Sequence, residues 1–330
     1  EAQVVLAGGS RPVVNKRTGD MMIRTGNGLM VNSTLKREEW EELDSAVVQA
    51  ATKPLNVVAT LQRLGLTRRL GSIGTMSALY NRASEMTAAN RSLTGTTAGK
   101  KDLPDVGQTG VPVPVIFKEF EIPMRTLTAS RRMGDGLDLT AAVAAAKAVG
   151  ESLEDLVING DSTINLNGSS IFGLTSHDDR NTDTASNYGG GDWGTITNII
   201  PTISGMINAN EGDNYFGPYG LFVATAQFGQ ASYTFFTDGS GDTARDRALR
   251  IPRLQFFEPA HWLDDGEAVL INLSRDVIEL AYVDGYFPVI DMEWSSGDGM
   301  VTSYKVMSVA TPIVKSEYGG KSGITHSTGN

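Results

Sequence analysis

The sequence predicts an α+β protein built around one long helix, with arms that no core of their own could hold. Leu139, Ala142, Val143, Ala146, Val149, Leu153, Leu156 and Val157 recur at helical spacing, and Lys147, Glu151, Glu154 and Asp155 lie mostly off that stripe. The carboxyl third reads instead as strands, at 268–273, 277–283, 287–294 and 303–309, separated by Gly and Asp turns. Two stretches, 1–34 and 67–123, sustain neither period and are rich in Gly, Ser and Thr.

In chain order, residues 1–34 carry Gly8, Gly9, Pro12, Gly19, Gly26 and Gly28 and read as an extended arm. The charge here is locally basic: residues 1–37 hold Arg11, Lys16, Arg17, Arg24, Lys36 and Arg37 against only Glu1 and Asp20. Arg11 and Arg17 are therefore candidate contacts to another subunit. A first residue of Glu1 is a poor product of simple Met removal, which points to a cleaved leader or a trimmed chain.

Ser33 or Thr34 can cap a helix that places Leu35, Leu43, Val47 and Ala50 on one face, with Glu38, Glu39 and Glu42 in its early turns. A second helix starts at Pro54 and runs through Leu55, Val58, Leu61 and Leu64 to a stop at Gly65. Residues 67–123 then form a long hairpin with strands at 75–86 and 111–123 and a tip bearing Lys100, Lys101 and Pro104. An isolated hairpin is marginal in water, so this one needs a partner surface. Pro112 and Pro114 confine its second strand to an edge or a strand start.

Asp138 can cap the long helix over 139–158, a rod of roughly 30 Å, and Asn159 with Gly160 ends it. A polar loop at 175–194 reads as a domain boundary. Beyond it come a helix at 193–209, a strand at 219–224, a helix at 227–236 and an irregular tip at 238–242.

The chemistry of the sequence excludes more than it suggests. With 330 residues the chain can bury a sizeable core, and with no cysteine it has no thiolate ligands, disulfides or thiol nucleophile. Its net charge of -10 argues against a protein whose main work is neutralising phosphates. Apolar runs fall short of the roughly 20 residues that cross a bilayer, so no membrane partner is expected. His177, His261 and His326 show no metal-ligand spacing, and neither a GxSxG elbow nor a GxxxxGK[ST] loop is present. Asp238, Ser240, Asp242 and Asp246 imitate the start of a calcium loop, but Thr243 stands where the turn glycine belongs and Leu249 where the closing glutamate belongs. Glu154 and Asp155 point about 100° apart on a helix, which suits caps or interface acids better than a shared reacting atom. Arg245, Arg247, Arg250 and Arg253 form a basic cluster that could meet an acidic neighbour, a pore or phosphate. No catalytic, cofactor or metal site is expected. The candidate contacts to other subunits are Arg11, Arg17, Lys100, Lys101, Arg245, Arg247 and Arg250.

One resemblance organises these parts. FKEFEIPMRTLTASRRMGDGLDL leading into the long helix, GESLEDLVINGD closing it and IFGLTSHDD after it resemble the tailed-phage capsid fold first described in a Hong Kong coliphage and shared with encapsulins. NSTLKREEWEELDSAVVQAATKPLN is similar to the opening helices of encapsulins, and EAVLINLSRDVIELAYVDGYFPVIDMEW with TPIVKSE to the family's closing strands. Together these motifs cover most of the chain in the family's order.

The resemblance implies an N-terminal arm at 1–34, helices at 35–66 and an extended loop at 67–123. It further implies a peripheral domain at 124–191 and 289–330 with a spine helix at 138–159, and an axial domain at 192–288. It implies a non-enzymatic major capsid protein that forms pentamers and hexamers of an icosahedral shell around double-stranded DNA. Scaffold, portal and decoration proteins are its implied partners, and the virion, assembled in host cytoplasm, its location. The alternative is an encapsulin-like compartment around enzyme cargo, and the added residues 1–31 favour the phage form. Some family members weld subunits through a Lys to Asn bond assisted by Glu; Lys100 and Lys101 lie where such a lysine would, but the Asn and Glu find no match.

Overall fold

A computed structural model describes residues 12–14, 20–24, 30–52, 55–84, 86–94, 96, 99, 101–133, 139–237, 239, 241–296 and 301–329. The long helix, Thr140–Asn159, follows the stripe that predicts it. Asp138, its expected cap, lies outside the described residues, and Leu139 occupies the N-cap position. The helix serves two cores. Its first turns bury Ala142, Ala145, Ala146 and Val149 against Leu43 and Val47 of helix Arg37–Thr52 and against Phe120, Ile122 and Tyr304. Its last turns bury Leu153, Val157 and Ile158 against Val57, Val58 and Leu61 of helix Val57–Arg63 and against Phe222, Val269 and Ile271. Burying an aliphatic side chain stabilises by about 1.5–3 kcal/mol, so this double use makes the helix the common wall of the subunit.

Gly160 ends the helix at φ 72°, donating its N–H to the Leu156 carbonyl. A Cβ there would sit 2.5 Å from Gly173 N and Ile171 O, so both conformation and space demand glycine. The second helix begins at Val57 rather than Pro54, which lies outside the described residues, and Gly65 follows it at φ 69° as expected. Ser33 and Thr34, the expected caps of the first helix, lie instead on the strand Met30–Lys36, which pairs with Asp20–Arg24, and the helix starts only at Arg37.

One five-stranded sheet has the order Asn181–Thr184, Ile324–Thr328, Ala268–Asn272, Tyr219–Ala224, Leu254–Ala260. Its strand Tyr219–Ala224 is buried on both faces. Tyr219, Leu221 and Val223 pack beneath helix Ile196–Gly212 with Trp193 and Met206, while Phe222 and Ala224 face the long helix's core. A second sheet has the order Ile290–Ser296, Val301–Val314, Ile278–Val283, Thr67–Leu70, and Val115–Pro123 also pairs with the long strand Val301–Val314.

Two expectations need correction. The hairpin is Ser77–Ala83 with Val106–Pro112, and Val115–Pro123 leaves it to join the second sheet. Prolines explain the break: Pro112 and Pro114 have no N–H to donate, so the ladder ends there and the chain changes sheet. The division expected at residue 288 also departs from the sheets. Ile324–Thr328 lies between Ala268–Asn272 and Asn181–Thr184, whereas Ile278–Val283 belongs with Val301–Val314. The expected polar loop at 175–194 thereby contains an edge strand. Helices Met124–Met133 and Ala244–Ala248 were not anticipated.

Candidate functional site

The three histidines lie apart, each in its own setting. His177 is buried, and burial pushes its imidazole below the ordinary range; its Nδ1 accepts the Asp179 N–H at 3.1 Å. His326 is buried on the strand Ile324–Thr328, with Nε2 3.3 Å from Glu267 Oε1 and Nδ1 accepting from Arg180 Nε at 3.4 Å. His261 is exposed and lies edge-on to Trp262. Among the described residues no three His, Cys, Asp or Glu side chains gather as a metal site, and no helix is long and apolar enough to cross a membrane.

The calcium-like residues have other work. Thr243 caps helix Ala244–Ala248 in a reciprocal capping box with Asp246, and these hydrogen bonds, the side-chain one first, hold the Asp246 carboxyl below its usual range. Asp242 takes two hydrogen bonds from Arg250, at 3.0 and 2.8 Å, and lies 3.5 Å from Arg247. Asp238 and Ser240 lie outside the described residues.

Of the four arginines, Arg247 and Arg250 meet at Asp242, whereas Arg245 and Arg253 make contacts of their own. Arg247 stacks 3.6 Å over the Phe236 ring, Arg245 lies 5.6 Å over Phe228, and Arg253 pairs with Glu211. Their charge is largely matched by their own subunit, which weakens any reading of them as a phosphate surface. Glu154 and Asp155 separate as their angle predicts: Asp155 accepts from Asn159 at 2.8 Å, and buried Glu154 accepts the N–H groups of Asn56, Val57 and Val58.

A cleft of about 1270 Å³ opens between the hairpin and the body, lined by Arg68, Arg82, Arg275, Glu279 and Lys315. These charges also answer one another or the backbone: Lys315 pairs with Glu279 at 2.9 Å, and Arg275 donates to the Gly65 carbonyl at 2.8 Å. The cleft offers no set of polar groups converging on one reacting atom.

What does stand out is the hairpin's outer loop. Between Ala83 and Val106 no described residue is in a helix or strand. Leu93 is 104% exposed and Leu103 87%, with Met86 and Val106 exposed nearby. Four apolar side chains left exposed along one loop make it the candidate interaction surface of the chain. Lys101 is exposed on the same loop, whereas Lys100, Arg11 and Arg17 lie outside the described residues. The hairpin's inner end is anchored instead, with Ala78, Tyr80 and Val111 buried among Leu70, Val283, Met307 and Val309. Sequence reasoning missed this anchor, whose only signal was the pair of apolar residues Ala78 and Tyr80 at strand spacing.

A family model described as a family of unknown function, DUF6260, matches residues 29–278. Curated proteins gave no match. Among solved structures, a virus-like particle from Pyrococcus furiosus superimposes with a TM-score of 0.61 at 15% identity, covering 88% of this chain and 100% of that one. The capsid of Myoviridae phage XM1 gives 0.58 at 15% identity, covering 82% and 92% of the two chains. The capsid of the native GTA particle gives 0.59 at 11% identity, covering 82% and 90%.

Proposed function

The chain belongs to the family of unknown function DUF6260 and has the Hong Kong phage-type capsid fold, and we propose that it is a major capsid protein, a shell subunit that works by self-assembly. The observation that carries this reading is the loop between Ala83 and Val106, which leaves Leu93 and Leu103 exposed although the inner end of the hairpin that bears it is packed into the subunit. A second copy is the partner that the fold makes available to it.

On this reading the helix Thr140–Asn159 is the spine, the hairpin and residues 1–34 are arms to neighbours, and the sheet under helix Ile196–Gly212 belongs to the domain that meets others around capsomer axes. Assembly proceeds by mass action among many symmetric contacts, and each arm adds avidity once a neighbour is in place. The net charge of -10 suits packaged double-stranded DNA that is enclosed without being gripped. Scaffold, portal and decoration proteins are the further partners, the virion the final location, and no enzymatic turnover is required.

Electron microscopy of the purified full chain, combined with an assay for nuclease-protected DNA, tests the proposal. Closed particles or capsomers are expected, and a stable monomer at micromolar concentration in mild salt would refute it. A compartment loaded with protein is the second reading, favoured by the match along the whole of the Pyrococcus furiosus particle chain. Particles that hold an enzyme and exclude long DNA would select it.

A further inference from the structure

The hairpin is held in two different ways along its length. Its inner end is packed, through Ala78, Tyr80 and Val111. Its outer end is less so: Val106 is exposed, and a cavity of about 240 Å³ that reaches from Tyr80 and Val111 to Arg82 is bounded on its other side by Phe172, His177 and Asp179. Packing therefore leaves the outer end room to move, and polar contacts decide where it sits.

Those contacts converge on Arg82. Its Nη2 donates to Asp179 Oδ2 at 3.0 Å and to the Glu317 backbone carbonyl at 2.7 Å. The Tyr318 N–H adds a longer bond to the Ala83 carbonyl, at 3.4 Å. The Asp179 side of the contact is braced in turn. Its N–H is held by His177 Nδ1, and Arg180 Nη1 donates to the His177 carbonyl at 2.8 Å. One guanidinium thus ties the hairpin to two segments remote in sequence, the loop after Phe172 and the turn after Val314.

We propose that Arg82 is a positioning residue, a latch that fixes the outer end of the hairpin on Asp179 and Glu317 and so sets the direction in which residues 84–105 leave the subunit. The consequence for assembly rests on the shell reading above. A head-to-tail contact closes a ring at one rotation and runs open at others, so the angle of an arm bears on whether neighbours are reached in register. Arg82 and Asp179 are each about a quarter exposed, at 25% and 26%, so the latch is of modest strength and can be released without unfolding the body.

Amide hydrogen exchange on the full chain tests this, with Arg82→Ala and Asp179→Ala compared with wild type. Amides at 82–84 and 105–107 are expected to exchange about tenfold faster in either variant, those at 78–80 and 110–112 to stay protected, and the double variant to add nothing further. Unchanged protection at the outer end, or additive losses in the double variant, would overturn the latch. A parallel assembly assay reads its consequence. Fewer or misshapen particles from Arg82→Ala support the positioning role, and normal particles at the normal rate overturn it. If wild type itself forms no particles, the shell reading fails, and the exchange result still decides the latch.

Discussion

Glu154 accepts the backbone N–H of Val57 at 2.5 Å, so the long helix caps the start of another helix 97 residues earlier in the chain. The same carboxylate takes the N–H groups of Asn56 at 3.0 Å and Val58 at 3.2 Å. It thereby satisfies three donors that the first turn of a helix leaves without intrahelical partners. Its charge also sits at the positive end of that helix dipole.

Burial is the larger influence on this carboxyl and raises it from 4.5 to about 7, with the backbone hydrogen bonds to Val57, Val58 and Asn56 pulling the other way. A group raised on folding contributes stability that is fully present below its unfolded value and is lost as pH rises through the folded one. Stability should therefore fall between about pH 4.5 and 7, by roughly 3 kcal/mol from this group alone. In urea titrations at pH 5 and pH 8, Glu154→Gln should remove that share of the slope. Glu154→Ala should cost about 3 kcal/mol at pH 5, because three buried donors lose their acceptor, and clearly less at pH 8, where the wild type has already lost this group's share. An unchanged pH slope in Glu154→Gln would assign the effect elsewhere.

Gly160 makes a sharper demand. Any Cβ at this position meets Gly173 N and Ile171 O at 2.5 Å in a backbone with φ 72°, and neither contact is the flexible end of a side chain. Gly160→Ala should destabilise by about 3 kcal/mol and lower soluble yield. Gly168, at φ 83° with open space around it, is the control. Gly168→Ala should cost about 1 kcal/mol, from the left-handed backbone alone. Equal costs at the two glycines would rule out the steric account.

Thr243 and Arg250 separate a cap from a surface pair. Thr243→Ala removes the hydroxyl half of the capping box, leaves the backbone N–H of residue 243 to Asp246, and should cost about 1 kcal/mol in a thermal melt. Arg250 is 66% exposed in its pair with Asp242, so Arg250→Ala should change stability by less than about 0.5 kcal/mol. A larger loss at Arg250 would show that the arginine cluster organises the tip.

The sequence was legible where one period ran unbroken. The long helix starts within a residue of its predicted place, and the strand Tyr219–Ala224 matches to the residue, because both are apolar enough to declare their buried faces. Ile324–Thr328 escaped notice because Thr325, His326, Ser327 and Thr328 look like a polar tail. It is buried as an inner strand of its sheet, where Thr325 Oγ1 donates to Asn210 Oδ1 at 2.7 Å. The arginine cluster could be read as a cluster, but its partners Asp242, Phe236 and Glu211 are set by tertiary contacts that no local pattern encodes. Glu154 could be read as a capping acid, while the helix it caps could not.

The hairpin carries the last prediction, because it divides what the subunit needs for itself from what it offers a neighbour. A deletion reaching Val111 would cut into the core, since that side chain is buried with Tyr80 and Met307. A deletion of residues 86–103 stops short of it. It leaves Ser84 and Asp105, which already exchange hydrogen bonds at 2.9 Å, to close the ladder beyond Ala83 and Val106 with a short turn. The body should then keep its helical circular dichroism and a cooperative melt within about 1 kcal/mol of wild type, because the described residues among those removed are exposed. Closed particles should disappear, because the apolar contacts of Leu93 and Leu103 go with the loop. Replacing those two leucines with Ser should reproduce the assembly loss without shortening the chain. Shells of normal stability from the deleted chain would make the loop decoration, and an unfolded body would move it into the subunit's own core.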